Sequence, residues 1–254
     1  MIGSKVIHKK LCVNSIKFCK ENFSSLQHGT ILTADEYDYA VGRQGRKWTL
    51  DDGQLVITLI LKPKEITNPK RAAIYKEINY LNMAICLGIL EPLKKYNAKL
   101  KWPNDFLINN KKIGGILANV IWPSNSQIGL IAGFAINVNN EFESGNELYK
   151  IATSIKQESN NKKNIDLEKL KNQILETINL QYNMWEKNKN KEIFEDWRNQ
   201  QIYLNKKISV HKKDGTLISG VMKDVDSNGN LLLLDKLYNE HILSFHIVEN
   251  LHAL

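Results

Sequence analysis

The pattern of apolar and polar positions predicts an α+β fold over the first two hundred residues. Short apolar runs bounded by polar residues are typical of buried strands. Such runs occur at 30–34, 55–61, 105–108, 112–122 and 128–138. The turn Asn109-Asn110-Lys111 separates two of them by only a few residues, which predicts a hairpin there.

Two long helices are predicted from apolar residues that recur every three or four positions. The first has Asn68 as a candidate N-cap and Pro69 in its first turn, positions that suit both residue types. Its periodic residues are Ile74, Ile78, Leu81, Ile85 and Ile89. The second spans about 165–186, with one face formed by Leu167, Leu170, Ile174, Ile178 and Trp185.

After Trp197 the chain changes to short β-like runs separated by Asp214-Gly215 and Asn228-Gly229. Both dipeptides are strong hairpin signals, because these residues tolerate the positive φ of tight turns. We therefore predict two domains. Residues 1–203 would form an α+β domain with a mixed or antiparallel sheet and flanking helices, and residues 204–254 a small β-barrel.

Charge does not by itself identify a partner. The 254 residues carry a net charge of +8, which is compatible with nucleic-acid binding. Lysine–asparagine runs at 161–164 and 186–192 hold much of that charge, and such runs usually coat solvent-exposed surfaces. No nucleic-acid-binding motif accompanies them, so we expect no DNA partner, although a basic nucleic-acid-binding protein stays open as an alternative.

Cysteine usage and hydropathy predict a cytoplasmic protein. Cys12, Cys19 and Cys86 have no metal-ligand spacing, and so few cysteines in odd number favour free thiols in a reducing compartment. No apolar run approaches the roughly 18 residues needed to span a bilayer. The N-terminus lacks an apolar segment of signal-peptide length. We therefore expect no membrane partner.

A glycine–arginine loop at 42–48 is the first stretch with candidate chemistry. The chain has thirty-five basic residues but only four arginines, and two of these, Arg43 and Arg46, lie three residues apart. Gly42 and Gly45 let the backbone turn sharply and approach a ligand. A guanidinium offers phosphate or carboxylate a planar, permanently charged fork. Trp48 can anchor the loop or stack on a base, although a basic loop facing water is an equally good interpretation of this stretch alone.

A second stretch begins with Lys101-Trp-Pro-Asn-Asp105 and continues to Lys112-Ile-Gly114-Gly115. Asn104 and Asp105 follow a proline in a turn, and carboxylate oxygen is a donor that magnesium accepts. Lys112 lies just past the predicted hairpin turn, where its ammonium can reach a cleft. Gly114-Gly115 would leave strand backbone open to a ligand or mark a bulge. Further along, Asn137 ends an apolar strand and could bind a base edge or a metal.

These motifs, with the Gly133–Asn137 strand end, resemble in order and approximate spacing those of the biotin protein ligases. The resemblance extends over nearly the whole chain and implies a ligase core like that of class II synthetases, followed by an SH3-like barrel. It implies activation of biotin by ATP and Mg²⁺ to biotinyl-5′-AMP. Biotin would then pass to a lysine of the biotin carboxyl carrier domain of a carboxylase. The chain is similar to short members that lack the N-terminal DNA-binding domain.

The resemblance also implies residue roles. The catalytic residues would be Lys112, Arg43 and Lys101. Asp105 and Asn104 would organise the metal. Biotin and ATP would be bound by Ser15, Gly42, Arg43, Gly45, Arg46, Trp48, Asn104, Lys112, Gly114, Gly115 and Asn137. An exposed edge strand of the main sheet could support a homodimer.

Several positions depart from the family pattern. The chain has Asn14-Ser15-Ile16 where Ser-Thr-Asn is usual, Tyr37 where a glutamine reads the biotin ring, Ala40-Val41 in place of Gly-Arg, and Ala135 in place of a glycine. Positions that handle phosphate match better than those that read the ring. A lipoate or medium-chain-acid ligase of the same superfamily therefore stays open as an alternative.

Overall fold

The computed structural model describes residues 1–48, 50–64, 71–122, 128–143, 145 and 148–254. The predicted cap Asn68 and the predicted Pro69 lie outside these residues. No helix in the described part of the chain has both the length and the apolar content that crossing a bilayer requires.

A mixed sheet forms the centre of the larger domain, with seven strands among the described residues in the order β1-β2-β5-β9-β8-β7-β6. The first nine strands are β1 Lys5–Cys12, β2 Thr30–Tyr37, β3 Ala40–Val41, β4 Lys47–Trp48, β5 Gln54–Leu61, β6 Lys99–Lys101, β7 Asp105–Ile108, β8 Lys111–Ile121 and β9 Gly129–Asn137. β1 pairs with β2 in parallel, and the other pairs are antiparallel. β3 and β4 form a separate two-stranded ribbon. The predicted strands and the predicted mixed sheet are confirmed.

Helices flank this sheet. They are α1 Ser15–Glu21, α2 Arg71–Leu90, α3 Leu148–Ile151, α4 Ile155–Glu158, α5 Leu167–Glu186 and α6 Asn190–Asn199, with 3₁₀ turns at Arg43–Gly45 and Glu91–Tyr96. All five periodic residues predicted for α2 are buried. At Gly88 a Cβ would lie 2.6 Å from Ile178 Cα, so a residue without a side chain allows α2 and α5 to pack closely. Both predicted helices are confirmed.

The C-terminal residues form a five-stranded antiparallel sheet, β13-β12-β11-β10-β14. Its strands are β10 Lys207–Lys212, β11 Leu217–Val225, β12 Leu231–Asp235, β13 Glu240–Leu243 and β14 Val248–Ala253. Gly215 and Gly229, at φ of +85° and +80°, lie in the two predicted hairpin turns. The predicted domain boundary at 203–204 falls in the turn before β10.

The small sheet packs directly on the larger domain. Trp102, buried in the larger domain, donates its indole N–H to Gly229 O at 2.9 Å. Arg198 of α6 pairs with Asp224 of β11, with Nη2 2.9 Å from Oδ2. Apolar residues of both sheets belong to one buried cluster. Residues far apart in sequence can therefore contribute to one cleft.

Candidate functional site

A cleft of about 780 Å³ lies where the larger domain meets the C-terminal sheet. It brings together most of the candidate residues found in the sequence. Those that line it are Ser15, Gly42, Arg43, Arg46, Trp48, Lys101, Asn104, Asp105, Lys112, Gly115 and Asn137. Arg43, Arg46, Lys101 and Lys112 thus share one cavity with the Asp105 carboxylate, although they come from two separate stretches of the chain. Lys150 and Glu249 also line it.

The glycine–arginine loop connects the two strands of the β3–β4 ribbon. Gly45 and Gln44 lie at φ of +75° and +61°, a region in which glycine carries no Cβ penalty. The Nη2 of Arg43 donates to Phe245 O at 2.5 Å and Val248 O at 3.2 Å. The Nη2 of Arg46 donates to Glu249 O at 2.6 Å. Both guanidinium groups therefore contact main-chain carbonyls of the C-terminal domain at the edge of the cleft.

The turn between β6 and β7 fixes the second motif. The Trp102–Pro103 peptide bond is cis. Asn104 Nδ2 donates to Ile116 O at 2.6 Å, and Ile116 N donates back to Asn104 O at 3.0 Å. These two bonds tie the turn to β8, so that Lys101 and Asp105 are presented from rigid elements rather than from a free loop.

Lys112 and Asp105 form an ion pair, with Lys112 Nζ 2.7 Å from Asp105 Oδ1. The ammonium also lies 5.2 Å from the centre of the Trp48 ring. The Trp48 indole N–H is buried and has no hydrogen-bond partner among the described residues. A Cβ at Gly115 would lie 3.2 Å from Asp105 Oδ1 and 3.5 Å from Lys112 Cε. The absence of a side chain at Gly115 therefore leaves the surroundings of this pair open.

Lys101 is a cation whose charge is not neutralised by direct contact. Within the described ranges its ammonium makes no hydrogen bond and lies within 4.0 Å of no carboxylate oxygen. Burial lowers the pKa of Lys101, the Asp105 carboxylate opposes that shift, and the Lys112 and Arg46 charges add to it. Burial likewise lowers the pKa of Arg43, which Asp105 partly restores. An anion entering the cleft would relieve this mutual repulsion.

Uncharged polar side chains occupy another part of the cleft wall. Thr58 Oγ1 donates to Ser15 Oγ at 2.8 Å. Gln54 Nε2 donates to Asn137 Oδ1 at 2.9 Å, and Asn137 Nδ2 donates to Thr153 O at 3.0 Å. Asn137 is buried, and its side-chain oxygen and nitrogen both have protein partners. Its side chain therefore connects β5, β9 and the segment after α3. Gln54 and Thr58 did not emerge from the sequence, since each is an ordinary residue in an apolar strand.

The positions that depart from the family pattern lie in different places. Asn14 and Val41 line the cleft. Asn14 also caps α1, where its Oδ1 accepts from Lys17 N at 2.8 Å. Tyr37 is not among the residues that line this cleft, and its hydroxyl donates to Val56 O at 3.2 Å. Burial raises the pKa of Tyr37 well above its ordinary value, so it stays a neutral phenol that packs β2 against β5.

Two predicted site residues, Gly45 and Gly114, are not among those that line the cleft. A Cβ at Gly45 would meet nothing within 4 Å, so close packing does not require this glycine. Glycine suits the position because the turn has a positive φ there. A Cβ at Gly114 would lie 2.5 Å from Ile136 Cδ1 and 2.6 Å from Ala135 O. Gly114 therefore serves the close packing of β8 on β9, beside a β-bulge in the β7–β8 pairing.

The cleft also includes residues that no sequence motif marks as candidates. Residues 248–253 of β14 line it, about two hundred positions after the glycine–arginine loop. Burial lowers the pKa of His252, and the positive charges of Lys101 and His211 lower it further. No local pattern could reveal this contribution, because it depends on how the two domains pack.

A metal would find limited protein ligands here. Among the described residues there is no group of three or more His, Cys, Asp or Glu side chains placed to hold an ion. Asp105 supplies one carboxylate, and Asn104 supplies an amide oxygen that lies 3.5 Å from Arg43 Nη1. This donor set fits Mg²⁺, which commonly binds through one or two carboxylates together with substrate phosphates and water.

Comparisons with known proteins find relatives of this chain. A sequence profile described as the biotin/lipoate A/B protein ligase family matches residues 12–137. The chain is 30% identical over 165 residues to the bifunctional ligase/repressor BirA of Bacillus spizizenii, covering 64% of this chain and 49% of that protein. It is 25% identical over 219 residues to the biotin–[acetyl-CoA-carboxylase] ligase of Mycobacterium tuberculosis, covering 81% and 73% of the two chains. The chain thus spans about half the length of the Bacillus protein.

A solved structure is similar over the whole chain. The biotin protein ligase from Aquifex aeolicus in complex with biotin and ATP superposes with a TM-score of 0.78 at 24% sequence identity, covering 99% of this chain and 100% of that one. At this level of identity the likeness establishes the fold. It includes the C-terminal sheet as well as the larger domain.

Proposed function

This chain belongs to the biotin/lipoate A/B protein ligase family, and we propose that it is a biotin–protein ligase. The proposed reaction has two steps. The biotin carboxylate attacks the α-phosphate of ATP, which forms biotinyl-5′-AMP and releases pyrophosphate. A lysine amine of a biotin carboxyl carrier domain then attacks the acyl carbon, which forms an amide and releases AMP and a proton.

One observation carries the proposal: Arg43, Arg46, Lys101 and Lys112 line a single cleft, together with the Asp105 carboxylate that pairs with Lys112. Joining a carboxylate to a phosphate brings two anions together. At ~4 Å two unit charges repel by about 4 kcal/mol at an effective dielectric near 20. Cations fixed around the meeting point stabilise the developing charge without reorganisation during the reaction.

The residues would divide this work by position. Lys112 would contact the acid carboxylate and the α-phosphate, since its ammonium already pairs with a carboxylate, that of Asp105, at 2.7 Å. Lys101, half-buried and without a counter-ion in direct contact, would bind phosphate oxygens. Arg43 and Arg46 would orient them, because each guanidinium keeps further N–H groups besides the Nη2 that contacts a carbonyl.

Asp105 and Asn104 would hold Mg²⁺ together with the triphosphate. Bound there, Mg²⁺ would neutralise phosphate charge and orient the nucleotide. The Asp105 side chain has a second oxygen in addition to the one that pairs with Lys112. The protein itself contributes the fixed turn, which keeps both donors beside the cationic groups.

The uncharged polar wall would receive the acid's head group. Ser15 and Thr58 present hydroxyl groups, and Gln54 presents an amide, from elements that are hydrogen-bonded to one another. Such a wall suits the ureido ring of biotin, which needs both donors and acceptors. The relatives named as biotin ligases in Mycobacterium and Aquifex support biotin over lipoate or a medium-chain acid.

We place the enzyme in the cytoplasm, because its three cysteines are buried free thiols and such cysteines are typical of reducing compartments. Homodimerisation through an exposed edge strand of the main sheet stays a prediction.

The proposal is tested by transfer to an acceptor. The protein would be incubated with ATP, Mg²⁺ and a purified biotin carboxyl carrier domain, with biotin, lipoate or octanoate in separate reactions. We expect the carrier mass to rise by one biotinyl group in the biotin reaction, and not when the acceptor lysine is replaced by arginine. Modification by lipoate or octanoate in preference to biotin would reject biotin as the substrate.

A further inference from the structure

We propose that the side chain of Tyr37 closes the head-group end of the acid site, where it separates the cleft from a second cavity on the opposite face of the main sheet. Tyr37 would thereby determine the size of the acids that the enzyme activates. This inference rests on the proposed function and adds a residue that selects its substrate.

The main sheet opens between β2 and β5. In the described chain these strands pair at only two positions, the last being Leu32–Thr58, although β2 continues to Tyr37 and β5 begins at Gln54. Each strand stays paired on its outer side, β2 with β1 as far as Tyr37 and β5 with β9 from Gln54 onwards. The end of β2 and the start of β5 therefore diverge, which leaves an opening in the sheet.

A cavity lies on each face of the sheet at this opening. Leu55 of β5 lines a second cavity of about 620 Å³, together with Leu167 of α5. Thr58, three positions further along β5, lines the cleft together with Ser15 of α1. Side chains alternate between the two faces along a strand. The second cavity therefore lies on the face covered by α5, and the cleft on the face covered by α1.

Tyr37 occupies the opening between these cavities. Gln54 and Val56 line both of them, so the two spaces approach each other at the start of β5. The Tyr37 hydroxyl donates to Val56 O at 3.2 Å, and the side chain therefore spans from β2 to β5. Tyr37 lines the second cavity and also packs against the apolar cluster that includes Cys19 of α1. It thus fills the opening from one face of the sheet to the other.

The head group of the bound acid would lie directly in front of this barrier. Ser15, Gln54 and Thr58 belong to the polar wall proposed for that head group, and Gln54 also lines the second cavity. A head group that needs more room than the cleft offers would meet the Tyr37 ring. Removing the ring would connect the cleft of about 780 Å³ with the second cavity of about 620 Å³.

The charge of the second cavity makes its use detectable. Carboxylates outnumber basic groups along its lining, where Lys171 pairs with Glu168 and His8 with Asp35. The further carboxylates that line it are Glu36, Asp51 and Asp52. An acid extended into this cavity should therefore be accepted better when the extension ends in an ammonium group than when it ends in a methyl group of the same length.

The experiment measures kcat/KM for acyl-adenylate formation by the full chain with ATP and Mg²⁺. Its three acids are biotin, biotin with a pentyl group on a ureido nitrogen, and biotin with a 4-aminobutyl group on the same nitrogen. Both regioisomers of each analogue are used, so that one extension in each pair can point towards the opening. The two extensions match in length and differ in terminal charge.

Four variants are compared with the parent. Tyr37→Ala and Tyr37→Leu remove the ring, and the second keeps an apolar contact with the cluster in case the first fails to fold. Tyr37→Phe keeps the ring but loses the hydrogen bond to Val56 O. Tyr75→Ala is the matched control, because Tyr75 is exposed on α2 and lines neither cavity.

The parent, Tyr37→Phe and Tyr75→Ala should strongly prefer biotin to both extended acids. In Tyr37→Ala and Tyr37→Leu that preference should fall by about 10- to 100-fold, the range over which pockets discriminate small differences in substrate size. Tyr37→Ala should activate the aminobutyl acid about two- to fivefold better than the pentyl acid, as partly exposed ion pairs allow. Added salt should reduce this advantage, because it screens exposed charges.

Three results would overturn the inference. An unchanged preference for biotin in Tyr37→Ala and Tyr37→Leu would show that the ring closes nothing. Acceptance of the extended acids by Tyr37→Phe would show that the ring is not the barrier. Equal use of the pentyl and aminobutyl acids by Tyr37→Ala would place the extension outside the second cavity.

Each of these results leaves the proposed function intact, because the parent would still form biotinyl-5′-AMP. A parent that forms no biotinyl-5′-AMP would instead reject the proposed function, and the inference with it.

Discussion

Removing the ammonium of Lys112 should slow adenylate formation strongly while leaving the fold intact. The variant Lys112→Met keeps most of the side-chain length but no charge. In the parent, Nζ lies 2.7 Å from Asp105 Oδ1, and the Lys112 side chain is 35% exposed while that of Asp105 is 19% exposed. The variant therefore loses one cation and also leaves the Asp105 charge without its partner in a cleft that must admit anions.

The magnitude follows from two estimates. A full charge at ~4 Å contributes about 4 kcal/mol at an effective dielectric near 20, and the partial exposure of Lys112 reduces this through solvent screening. Loss of one preorganised donor typically costs about 2.7–4 kcal/mol, or roughly 10²–10³ in rate. In Lys112→Met/Asp105→Asn the proposed Mg²⁺ ligand is lost together with the ammonium, so we expect the double variant to be slower than Lys112→Met.

The assay is single-turnover formation of biotinyl-5′-AMP at saturating biotin and ATP, with thermal unfolding measured in parallel. Lys112→Arg serves as the control that keeps the charge. A Lys112→Met rate within tenfold of the parent would refute the role of this ammonium. A double variant no slower than Lys112→Met would show that Asp105 acts only through its lysine, and would contradict the proposed role of Asp105 in holding Mg²⁺.

Three further predictions follow from the geometry. Gly114→Ala should destabilise the fold by about 1–3 kcal/mol, as overpacking does, because its Cβ would meet Ile136 and the Ala135 carbonyl. Gly115→Ala, whose nearest neighbours lie 3.2–3.5 Å away, should unfold at nearly the parent's temperature but slow adenylation. Urea unfolding and the adenylation assay distinguish these two effects. The adenylation rate should fall as pH rises through the pKa of Lys101, which burial holds below that of an ordinary lysine; Lys101→Arg should move this fall to higher pH, and an unchanged pH profile would exclude Lys101 as its source. Trypsin should cut the loop 38–47 in the free protein, and biotin with ATP should suppress the cut if the loop orders over the adenylate; cleavage at an unchanged rate would contradict that gating.

Much of the larger domain was predictable because its elements have strong local signals. Ile74, Ile78, Leu81, Ile85 and Ile89 are all buried on α2, as their spacing predicts. The Asn109-Asn110 turn takes up positive φ at both residues, which is what asparagine tolerates best after glycine. In these cases local preference and tertiary packing favour the same structure.

Other elements gave weaker signals. β1 is an edge strand whose sequence, KVIHKKLC, mixes lysines with apolar residues, and most of its positions are not buried. Edge strands commonly carry lysine, which prevents unwanted pairing but obscures the alternation that reveals a strand. The short helix α1 was not predicted either, since seven residues are too few for a clear helical period.

Part of the candidate site was predictable because some of its residues are conspicuous in the sequence. Glycine, arginine and the Lys101–Asp105 motif are unusual in composition, so the sequence revealed them, and packing placed them together. Gln54, Thr58 and Asn250 are ordinary residues in ordinary strands, and only the assembled structure shows that they line the cleft. Gly45 and Gly114 show the converse, because a conspicuous glycine can serve a turn or close strand packing rather than a ligand.

The central claim is that the grouped cations of this cleft let a carboxylic acid attack the α-phosphate of ATP. The most direct test is to incubate the protein with ATP, Mg²⁺ and an equimolar panel of biotin, lipoate and octanoate, and to identify the acyl-adenylates by mass spectrometry. We expect biotinyl-5′-AMP as the main product, with pyrophosphate released in equal amount. Tight ATP binding with no acyl-adenylate from any acid would contradict it.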